Sequence, residues 1–327
     1  MSKVLILGGT GFIGLELAKH LHRESDRHDI WLVDNFSRGR CDAEVEGFLK
    51  KSAGCHLHCA DLTVAKSFEV LNETYDEVYL LAAVVGVRYT KENPAEVLRT
   101  NVQITMNVLD WAHKATVGRL LFASSSEVYS GAVELGIARV PTSESTPLVI
   151  TDIKEARFSY AVSKTVGEAM ALAYDTAYAV PCVVVRFHNV YGPRMGYEHV
   201  IPELTLRALR HEMPFRVYGA DQTRAFCFVD DAVRGTVMAM RSGVRRGIYH
   251  IGNDNEEVTI ADLAKRIQSL TGHHADVAAL PASAGSVSRR CPDIGKMRAL
   301  GYEPRVSLDE GLGATVDWYR RHQTMNG

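Results

Sequence analysis

The chain lacks the features that would place it outside a reducing, aqueous compartment. Its 327 residues include only six cysteines, scattered as reduced intracellular thiols would be. No apolar run approaches the roughly 20 residues that cross a bilayer, and Ser2 and Lys3 lead directly into an apolar stretch rather than into a signal peptide. The formal net charge of −2 provides no bulk attraction for nucleic acid or membranes. We therefore expect a cytoplasmic protein with no nucleic-acid or membrane partner.

One stretch, Cys55-His56-Leu57-His58-Cys59, contains residue types that bind metals. Strand alternation would place the cysteines on one face and the histidines on the other, so the four side chains could not converge on one ion. We predict the third strand of a sheet here, ending at Asp61, and no metal.

What the chain does contain is a glycine turn between a strand and a helix. Val4–Leu7 is a continuous apolar run, Gly8, Gly11 and Gly14 follow at a spacing of three, and Leu15–Leu21 has helical spacing. Any tight turn before a helix could carry such glycines. In this context they predict a dinucleotide site, where Gly8 allows the turn, Gly11 lets backbone approach a pyrophosphate and Gly14 lets helix pack on strand.

The next apolar run supports this interpretation and selects the cofactor. Ile30–Val33 ends at Asp34, twenty positions after Gly14. An acidic residue there accepts hydrogen bonds from ribose hydroxyls and repels a 2′-phosphate, which predicts NAD rather than NADP. Arg38 lies close by in sequence and is the one opposing signal.

Apolar strand candidates alternate with helical stretches along the chain. This alternation predicts an α/β fold, a doubly wound parallel sheet (Rossmann) with a smaller C-terminal α/β substrate domain. We expect the NAD-binding domain at 1–188 and the substrate-binding domain at 189–327, with 225–252 returning to the first. The strand candidates are Val4–Leu7, Ile30–Val33, Cys55–Cys59, Glu77–Ala83, Arg119–Ala123, Cys182–Phe187, Ala225–Val229 and Ile248–Gly252.

Four helices are predicted from apolar spacing: Glu96–Ala112, Tyr160–Tyr178, Glu257–Leu270 and Leu308–Tyr319. The first two carry extended apolar stripes, which usually pack on the sheet. Paired helices of this kind could also form a two-fold dimer interface.

Tyr160 and Lys164 lie one helical turn apart on one face, a pattern with chemical meaning. A lysine cation and a nicotinamide cation favour the phenolate, which can then take a proton from an alcohol. Upstream, Ser124-Ser125-Ser126-Glu127 follows the fifth strand, where ligands bind in parallel sheets. A serine there could contact the reacting hydroxyl, and Glu127 could act as acid or base or could cap a helix.

These motifs together resemble the extended short-chain dehydrogenases/reductases of the nucleotide-sugar epimerase/dehydratase family. The resemblance covers nearly the whole chain. It rests on Gly8–Gly14, Val33–Asn35, Ala60–Leu62, Leu81–Ala83, Asn93–Asn101, Ser124–Tyr129, Tyr160–Lys164, Arg186–Arg194, Gln222–Phe226 and Arg290–Ile294.

The resemblance implies roles for individual residues. The cofactor residues would be Gly8, Gly11, Phe12, Ile13, Asp34, Asn35, Asp61, Leu62, Leu81, Ala82, Ala83, Asn101, Tyr160 and Lys164. Ser125 and Tyr160 would contact the sugar 4-hydroxyl, with Ser126 and Glu127 as further catalytic residues. The substrate residues would be Asn189, Val200, Tyr218, Arg224 and Arg290, and Arg289 is the alternative to Arg290 for reaching the diphosphate. The implied state is a homodimer acting on a UDP-linked sugar.

The exact reaction stays open at this point. Ser126 stands where many 4,6-dehydratases of this family carry aspartate, and Ser125-Ser126-Glu127 resembles UDP-glucuronate decarboxylases. The segment from Glu198 to Pro202 resembles epimerases. We expect a UDP-sugar epimerase first, with a decarboxylase and a 4,6-dehydratase as alternatives. A non-catalytic NAD sensor is the alternative of another class, but it would need neither Tyr160 nor Lys164.

Overall fold

The computed structural model describes residues 2–71, 74–115, 117–282 and 287–322. Its strands are β1 Lys3–Leu7, β2 Asp29–Asp34, β3 Cys55–Cys59, β4 Glu77–Leu80, β5 Arg119–Ser125, β6 Cys182–Phe187, β7 Val190–Tyr191, β8 Phe215–Tyr218, β9 Thr223–Ala225, β10 Cys227–Phe228, β11 Ile248–Ile251, β12 Glu257–Thr259, β13 Val277–Leu280 and β14 Arg289–Arg290.

The helices are α1 Phe12–Glu24, α2 Ala43–Lys51, α3 Val87–Glu92, α4 Pro94–Ala115, α5 Ser130–Glu134, α6 Phe158–Tyr178, α7 Val200–Leu209, α8 Val229–Ser242, α9 Ile260–Thr271, α10 Gly295–Ala299 and α11 Leu308–His322. Two short 3₁₀ helices span Ala65–Val70 and Ser126–Tyr129. No helix within the described ranges is both long and apolar enough to cross a membrane.

Seven strands form one sheet in the order β11-β6-β5-β4-β1-β2-β3. The register of β1 with β2 and β4 is parallel and places Leu5 between Trp31 and Val78. Central strands of such a sheet are buried on both faces, which explains the unbroken apolar run in β1. This architecture confirms the predicted doubly wound parallel sheet.

The sheet is covered by helices whose apolar faces form the core. Trp111 of α4 packs against Phe68 and Tyr75, and its indole nitrogen donates to the carbonyl oxygen of Leu71. The predicted stripe on α4 is buried, but Val162 and Val166 of the α6 stripe are only half-buried. Helix α6 therefore retains apolar surface beyond what the sheet covers, and on α4 Leu98 and Met106, which lie outside the predicted stripe, are exposed.

The chain divides into two compact units. The first comprises Met1–Val128, Asp152–Phe187 and Val233–Tyr249, and the second Tyr129–Thr151, His188–Ala232 and His250–Gly327. The chain passes between the two units more often than the expected boundary at residue 188, with 225–252 returning, provides for. Tyr129–Thr151 belongs to the second unit because distant backbone holds it: Thr142 donates to the carbonyl oxygen of Cys291 and accepts from the amide of Asp293.

Several predicted elements have different bounds in the structure. The run Ala225–Val229 is not one strand, because β9 ends at Ala225, β10 is Cys227–Phe228 and α8 starts at Val229. The expected helix from Glu257 begins as β12 instead, and α9 starts after Thr259, whose hydroxyl caps it. The fourth strand stops at Leu80, because the next two amides both turn to the carbonyl oxygen of Leu7. β3 ends at Cys59 rather than at Asp61.

Candidate functional site

The glycine turn after β1 forms a cradle of open backbone. Gly8 has a φ of +88°, and a Cβ there would lie 2.7 Å from a backbone nitrogen of the loop after β4. A Cβ on Gly14 would lie 2.2 Å from the carbonyl oxygen of Gly8, so α1 can pack this closely only without a side chain. Gly11 is the N-cap of α1, whose first turn presents the amides of Phe12 and Ile13. A pyrophosphate such as that of NAD fits this cradle.

Asp34 ends β2 beside the cradle and is almost fully buried. Its Oδ2 accepts from the amide of Thr10 at 3.1 Å and its Oδ1 from the amide of Phe36 at 2.9 Å. The carboxylate therefore fixes the glycine turn as well as supplying the negative charge that disfavours a 2′-phosphate. Arg38, the opposing signal in the sequence, donates to the carbonyl oxygen of Val85.

Further predicted cofactor residues follow the carboxyl ends of β2, β3 and β4: Asn35, Asp61, Leu62, Leu81, Ala82 and Ala83. Asn35 and Asp61 form local turns, accepting from the amides of Ser37 at 3.0 Å and Thr63 at 2.9 Å. Ligands bind at this end of parallel sheets, so the loops lie on the side of the sheet that the cofactor prediction requires.

Asn101 of α4 makes hydrogen bonds that the sequence did not predict. Its Oδ1 accepts from the amide of Val84 at 2.7 Å, and its Nδ2 donates to the Val84 carbonyl oxygen at 3.0 Å and to the Ser163 hydroxyl at 3.1 Å. The buried amide thus ties the loop after β4 to helix α6. We interpret Asn101 as a residue that positions the cofactor loop.

Tyr160, Ser125 and Lys164 are brought together within the first unit. Ser125 hydrogen-bonds the Tyr160 hydroxyl, and the Lys164 Nζ lies 5.8 Å from the centre of the Tyr160 ring. Burial raises the pKa of Tyr160, the bond from Ser125 lowers it, the negative charge of Glu127 raises it and the charge of Arg38 lowers it. The protein alone therefore keeps the phenol protonated, opposite to the phenolate expected with a bound nicotinamide cation.

Lys164 is only 5% exposed, and its Nζ donates to the carbonyl oxygen of Ala123 at 2.8 Å. Burial lowers the pKa of Lys164 to about 8, while the charge of Glu168 acts in the opposite direction. A lysine with this pKa can exchange its proton near neutral pH, so it can supply positive charge or relay a proton.

Glu127 and Ser126 follow Ser125 in the short 3₁₀ helix. The Glu127 amide donates to the Ser125 hydroxyl oxygen at 3.2 Å, and Ser126 is buried. The effect of the Glu127 charge on Tyr160 places its carboxylate in the electrostatic environment of the same phenol. The charge of Glu127 therefore acts on the phenol of Tyr160, and both interpretations of Glu127 remain predictions.

The sequence analysis missed Glu168, which anchors α6 to the sheet. Its carboxylate accepts from Ser124 Oγ at 2.5 Å, from Arg186 Nε at 2.8 Å and from Arg186 Nη2 at 2.5 Å, all buried. A glutamate eight positions after Tyr160 lies on the same helix face, but its partner Arg186 is 18 residues further along. Only the fold reveals the pairing, which holds Tyr160 and Lys164 in register with β5.

In the second unit, β9 and β14 place two predicted substrate residues side by side. Arg290 is the register partner of Arg224 in a parallel pair, so both side chains leave the small sheet on one face. Arg224 donates to the carbonyl oxygens of Val287 at 2.6 Å and Thr223 at 2.8 Å. Two adjacent guanidinium groups suit a diphosphate.

Arg289, the alternative to Arg290, is held elsewhere. It forms a bidentate pair with Glu257, with Nε–Oε1 at 2.8 Å and Nη2–Oε2 at 2.8 Å. Since neighbouring strand residues point to opposite faces, the geometry selects Arg290 as the partner of Arg224.

The remaining predicted substrate residues lie at element ends of the same unit. Asn189 has a φ of 43° and its Nδ2 donates to the carbonyl oxygen of Ala225 at 2.8 Å. Val200 starts α7 and Tyr218 ends β8, with 55% of Tyr218 exposed. An exposed aromatic ring at a strand end is suited to stacking on a nucleotide base. Within the described ranges no group of three or more His, Cys, Asp or Glu could hold a metal ion.

Comparison with known proteins matches residues 4–252 to the NAD dependent epimerase/dehydratase family. A UDP-N-acetyl-alpha-D-glucosaminuronate decarboxylase of Bacillus cytotoxicus is 33% identical over 97% of this chain and 98% of its own length. UDP-glucuronic acid decarboxylase 1 of Xenopus tropicalis is 36% identical over 99% of this chain and 74% of its own.

Solved structures show the same fold. UDP-glucose 4-epimerase of Thermotoga maritima, determined with UDP-glucose, has a TM-score of 0.84 at 26% identity, covering 98% of this chain and 99% of that one. The dTDP-glucose 4,6-dehydratase of Streptomyces venezuelae, determined with NAD, has a TM-score of 0.87 at 28% identity, covering 99% and 98%. These relatives catalyse three different reaction outcomes.

Proposed function

Because the chain belongs to the NAD-dependent epimerase/dehydratase family, we propose that it modifies a UDP-linked sugar by transient oxidation at C4. When bound, NAD takes up the electrons and hydrogen of the C4 carbinol and returns them later in the cycle. Tyr160 accepts the hydroxyl proton, Ser125 holds the oxygen and Lys164 provides the positive charge. The observation that carries the proposal is the cluster of Tyr160, Ser125 and Lys164 in one unit with the glycine cradle.

The outcome that we propose first is loss of carbon dioxide from a UDP-hexuronate. A ketone at C4 makes the C6 carboxylate part of a β-keto acid: the C5–C6 bond breaks, its electron pair moves to the C4 oxygen as an enolate, and C5 then takes a proton. Tyr160 and Ser125 can stabilise the enolate oxygen, and in this proposal Glu127, two positions after Ser125, exchanges the proton at C5. Relatives that match nearly the whole of this chain and are named decarboxylases support this choice.

C4 epimerisation is the second candidate and was the first expectation from the sequence. It is supported by the epimerase-like segment from Glu198 to Pro202, which leads into α7, and by structural neighbours named 4-epimerases. In this reaction the 4-keto sugar rotates within the site and is then reduced on its other face. It needs Tyr160, Ser125 and Lys164 but no carboxylate near C5.

Mass spectrometry of nucleotide sugars incubated with the protein and NAD distinguishes these outcomes. UDP-glucuronate, UDP-N-acetylglucosaminuronate, UDP-glucose and UDP-N-acetylglucosamine form a sufficient panel. Loss of carbon dioxide identifies decarboxylation, an unchanged mass with altered retention identifies epimerisation, and loss of water identifies dehydration. Tyr160→Phe is the matched control, because it removes only the hydroxyl. No product with any substrate, together with tight NAD binding, would instead indicate the sensor.

We further propose a cytoplasmic homodimer. The half-buried Val162 and Val166 of α6 and the exposed Leu98 and Met106 of α4 supply apolar area on two helices that pack together. A two-fold axis through such a helix pair would bury this surface against a second copy.

A further inference from the structure

A buried cluster in the second unit takes no part in the chemistry proposed above. Tyr129, Glu144, His188 and His250 come from three segments of the chain, and none is more than 8% exposed. The two imidazole rings lie 4.5 Å apart, and the Tyr129 ring meets the His250 ring edge-on at 5.5 Å. Buried polar side chains are hydrogen-bonded in folded proteins, so the bonds of this cluster show what it holds in place.

His250 is the centre of these bonds. Its Nδ1 lies 3.0 Å from the carbonyl oxygen of Asp293, which can only accept, so Nδ1 carries the proton. In the neutral ring Nε2 is then an acceptor, and the Tyr129 hydroxyl donates to it at 2.7 Å. The backbone amide of the same residue donates to Glu144 Oε1 at 3.1 Å. His250 thus joins the segment that contains Tyr129 and Glu144 to the distant segment that contains Asp293.

Both of these segments adjoin residues of the proposed reaction. Tyr129 is the last residue of the 3₁₀ helix that contains Glu127, so its hydroxyl fixes the end of that short helix. Asp293 follows Arg290 by three residues, and its backbone also pairs with Thr142. Because the 3₁₀ helix Ser126–Tyr129 and the strand β14 are both very short, their side-chain positions depend on such anchors more than those of long helices do.

We propose that His250 is a positioning residue that sets the orientation of Glu127 through Tyr129 and of Arg290 through Asp293. The proposal rests on the function proposed above, since Glu127 and Arg290 act in that reaction. Displacing a reacting group by about 1 Å can lower the rate about 10²-fold. A hydrogen bond that does not touch the substrate but positions such a group can therefore have a large effect on kcat.

Two conservative substitutions of His250 separate its two bonds. His250→Asn can retain a donor near Nδ1 but loses the acceptor for Tyr129, and His250→Gln can retain an acceptor near Nε2 but loses the donor to Asp293. We expect His250→Asn and Tyr129→Phe each to lower kcat by about 10–100-fold with KM nearly unchanged. We expect His250→Gln to raise KM for the nucleotide sugar instead. The double variant Tyr129→Phe/His250→Asn should be no slower than the slower single variant, because both remove one bond.

Tyr191→Phe is the matched control, since Tyr191 is a buried tyrosine of the same unit whose hydroxyl donates to Leu308 at 3.3 Å. A fall in kcat for Tyr191→Phe as large as for Tyr129→Phe would overturn the proposal. Equal changes of kcat and KM in both His250 variants would also overturn it, because general destabilisation would produce that pattern.

A measurement that does not depend on catalysis tests the hydrogen bonds of His250 independently of the proposed function. In wild-type protein with ¹⁵N-labelled histidine, the resonance that disappears in His250→Gln should show a protonated Nδ1 and an unprotonated Nε2. The opposite tautomer would overturn the positioning role. Absence of turnover in the wild type with every nucleotide sugar would overturn the proposed function alone, and the tautomer would still test the hydrogen bonds.

Discussion

At the residue scale, Tyr160 is subject to opposing influences that a single substitution can separate. The charge of Glu127 raises the pKa of Tyr160, whereas Ser125 lowers it. A base must lose its proton to act, so activity rises with pH through the pKa of Tyr160. We expect Glu127→Gln to lower this pKa and to move the rising limb of the kcat profile to lower pH, and Glu127→Asp, which keeps the charge, to leave the limb nearer its wild-type position.

The fall in kcat that Glu127→Gln causes at the pH optimum distinguishes chemistry at C5 from simple inversion at C4. If Glu127 transfers a proton at C5, Glu127→Gln should lower kcat by about 10²–10⁴-fold. If only C4 is inverted, much of the activity should remain. The same protein sample must show an unchanged melting temperature, since loss of a structural contact could also reduce the rate.

Asp34 is expected to set the cofactor preference. Its buried carboxylate would face the 2′-phosphate of NADP, so the wild-type protein should bind NAD more tightly. Asp34→Asn retains one acceptor for Thr10 or Phe36 and removes the charge, and should narrow the difference between the two cofactors. Titration of cofactor-free protein with each dinucleotide measures this. Tighter NADP binding by the wild type would contradict the prediction and would point to Arg38.

At the scale of elements, the sequence was sufficient to predict those strands, turns and helices whose pattern lies in neighbouring residues. The apolar run of β1, the glycine turn and the pair Tyr160–Lys164 are local patterns, and they predicted the sheet and the α6 helix closely. The interleaving of Tyr129–Thr151 with the second unit depends on hydrogen bonds from Thr142 to Cys291, about 150 residues away, which no local pattern encodes. The pairing of Glu168 with Arg186 was missed for the same reason.

Helix α4 provides a prediction at this scale, because Asn101 ties it to the cofactor loop. Asn101→Ala would leave the amide of Val84 without this acceptor in a half-buried loop and would remove the bond to Ser163. Unsatisfied buried groups cost about 1–3 kcal/mol each, so we expect a loss of that order in the free energy of unfolding, together with weaker NAD binding. Urea denaturation and cofactor titration measure both.

Gln103→Ala is the control on the same helix, because Gln103 bonds only within α4, to Asn107 at 2.8 Å, among the contacts described for it. It should change stability by a few tenths of a kcal/mol, as such pairs on helices usually do, and leave NAD binding unchanged. Equal effects of the two substitutions would show that Asn101 has no special connection to the cofactor loop.

At the scale of the whole molecule, the surface left on α4 and α6 predicts self-association. Met106 is 38% exposed on α4, next to a helix whose Val166 is only half-buried. A charge placed inside a two-fold interface is introduced twice and meets its own copy, so burying it unpaired is costly. We expect the wild type to sediment as a dimer and Met106→Arg to sediment as a monomer. Leu270→Arg, at an equally exposed apolar position of α9, should remain dimeric. A monomeric wild type would refute the dimer. A Met106→Arg protein that stays dimeric would place the interface on a different surface, because both copies would otherwise have to bury an arginine against apolar side chains.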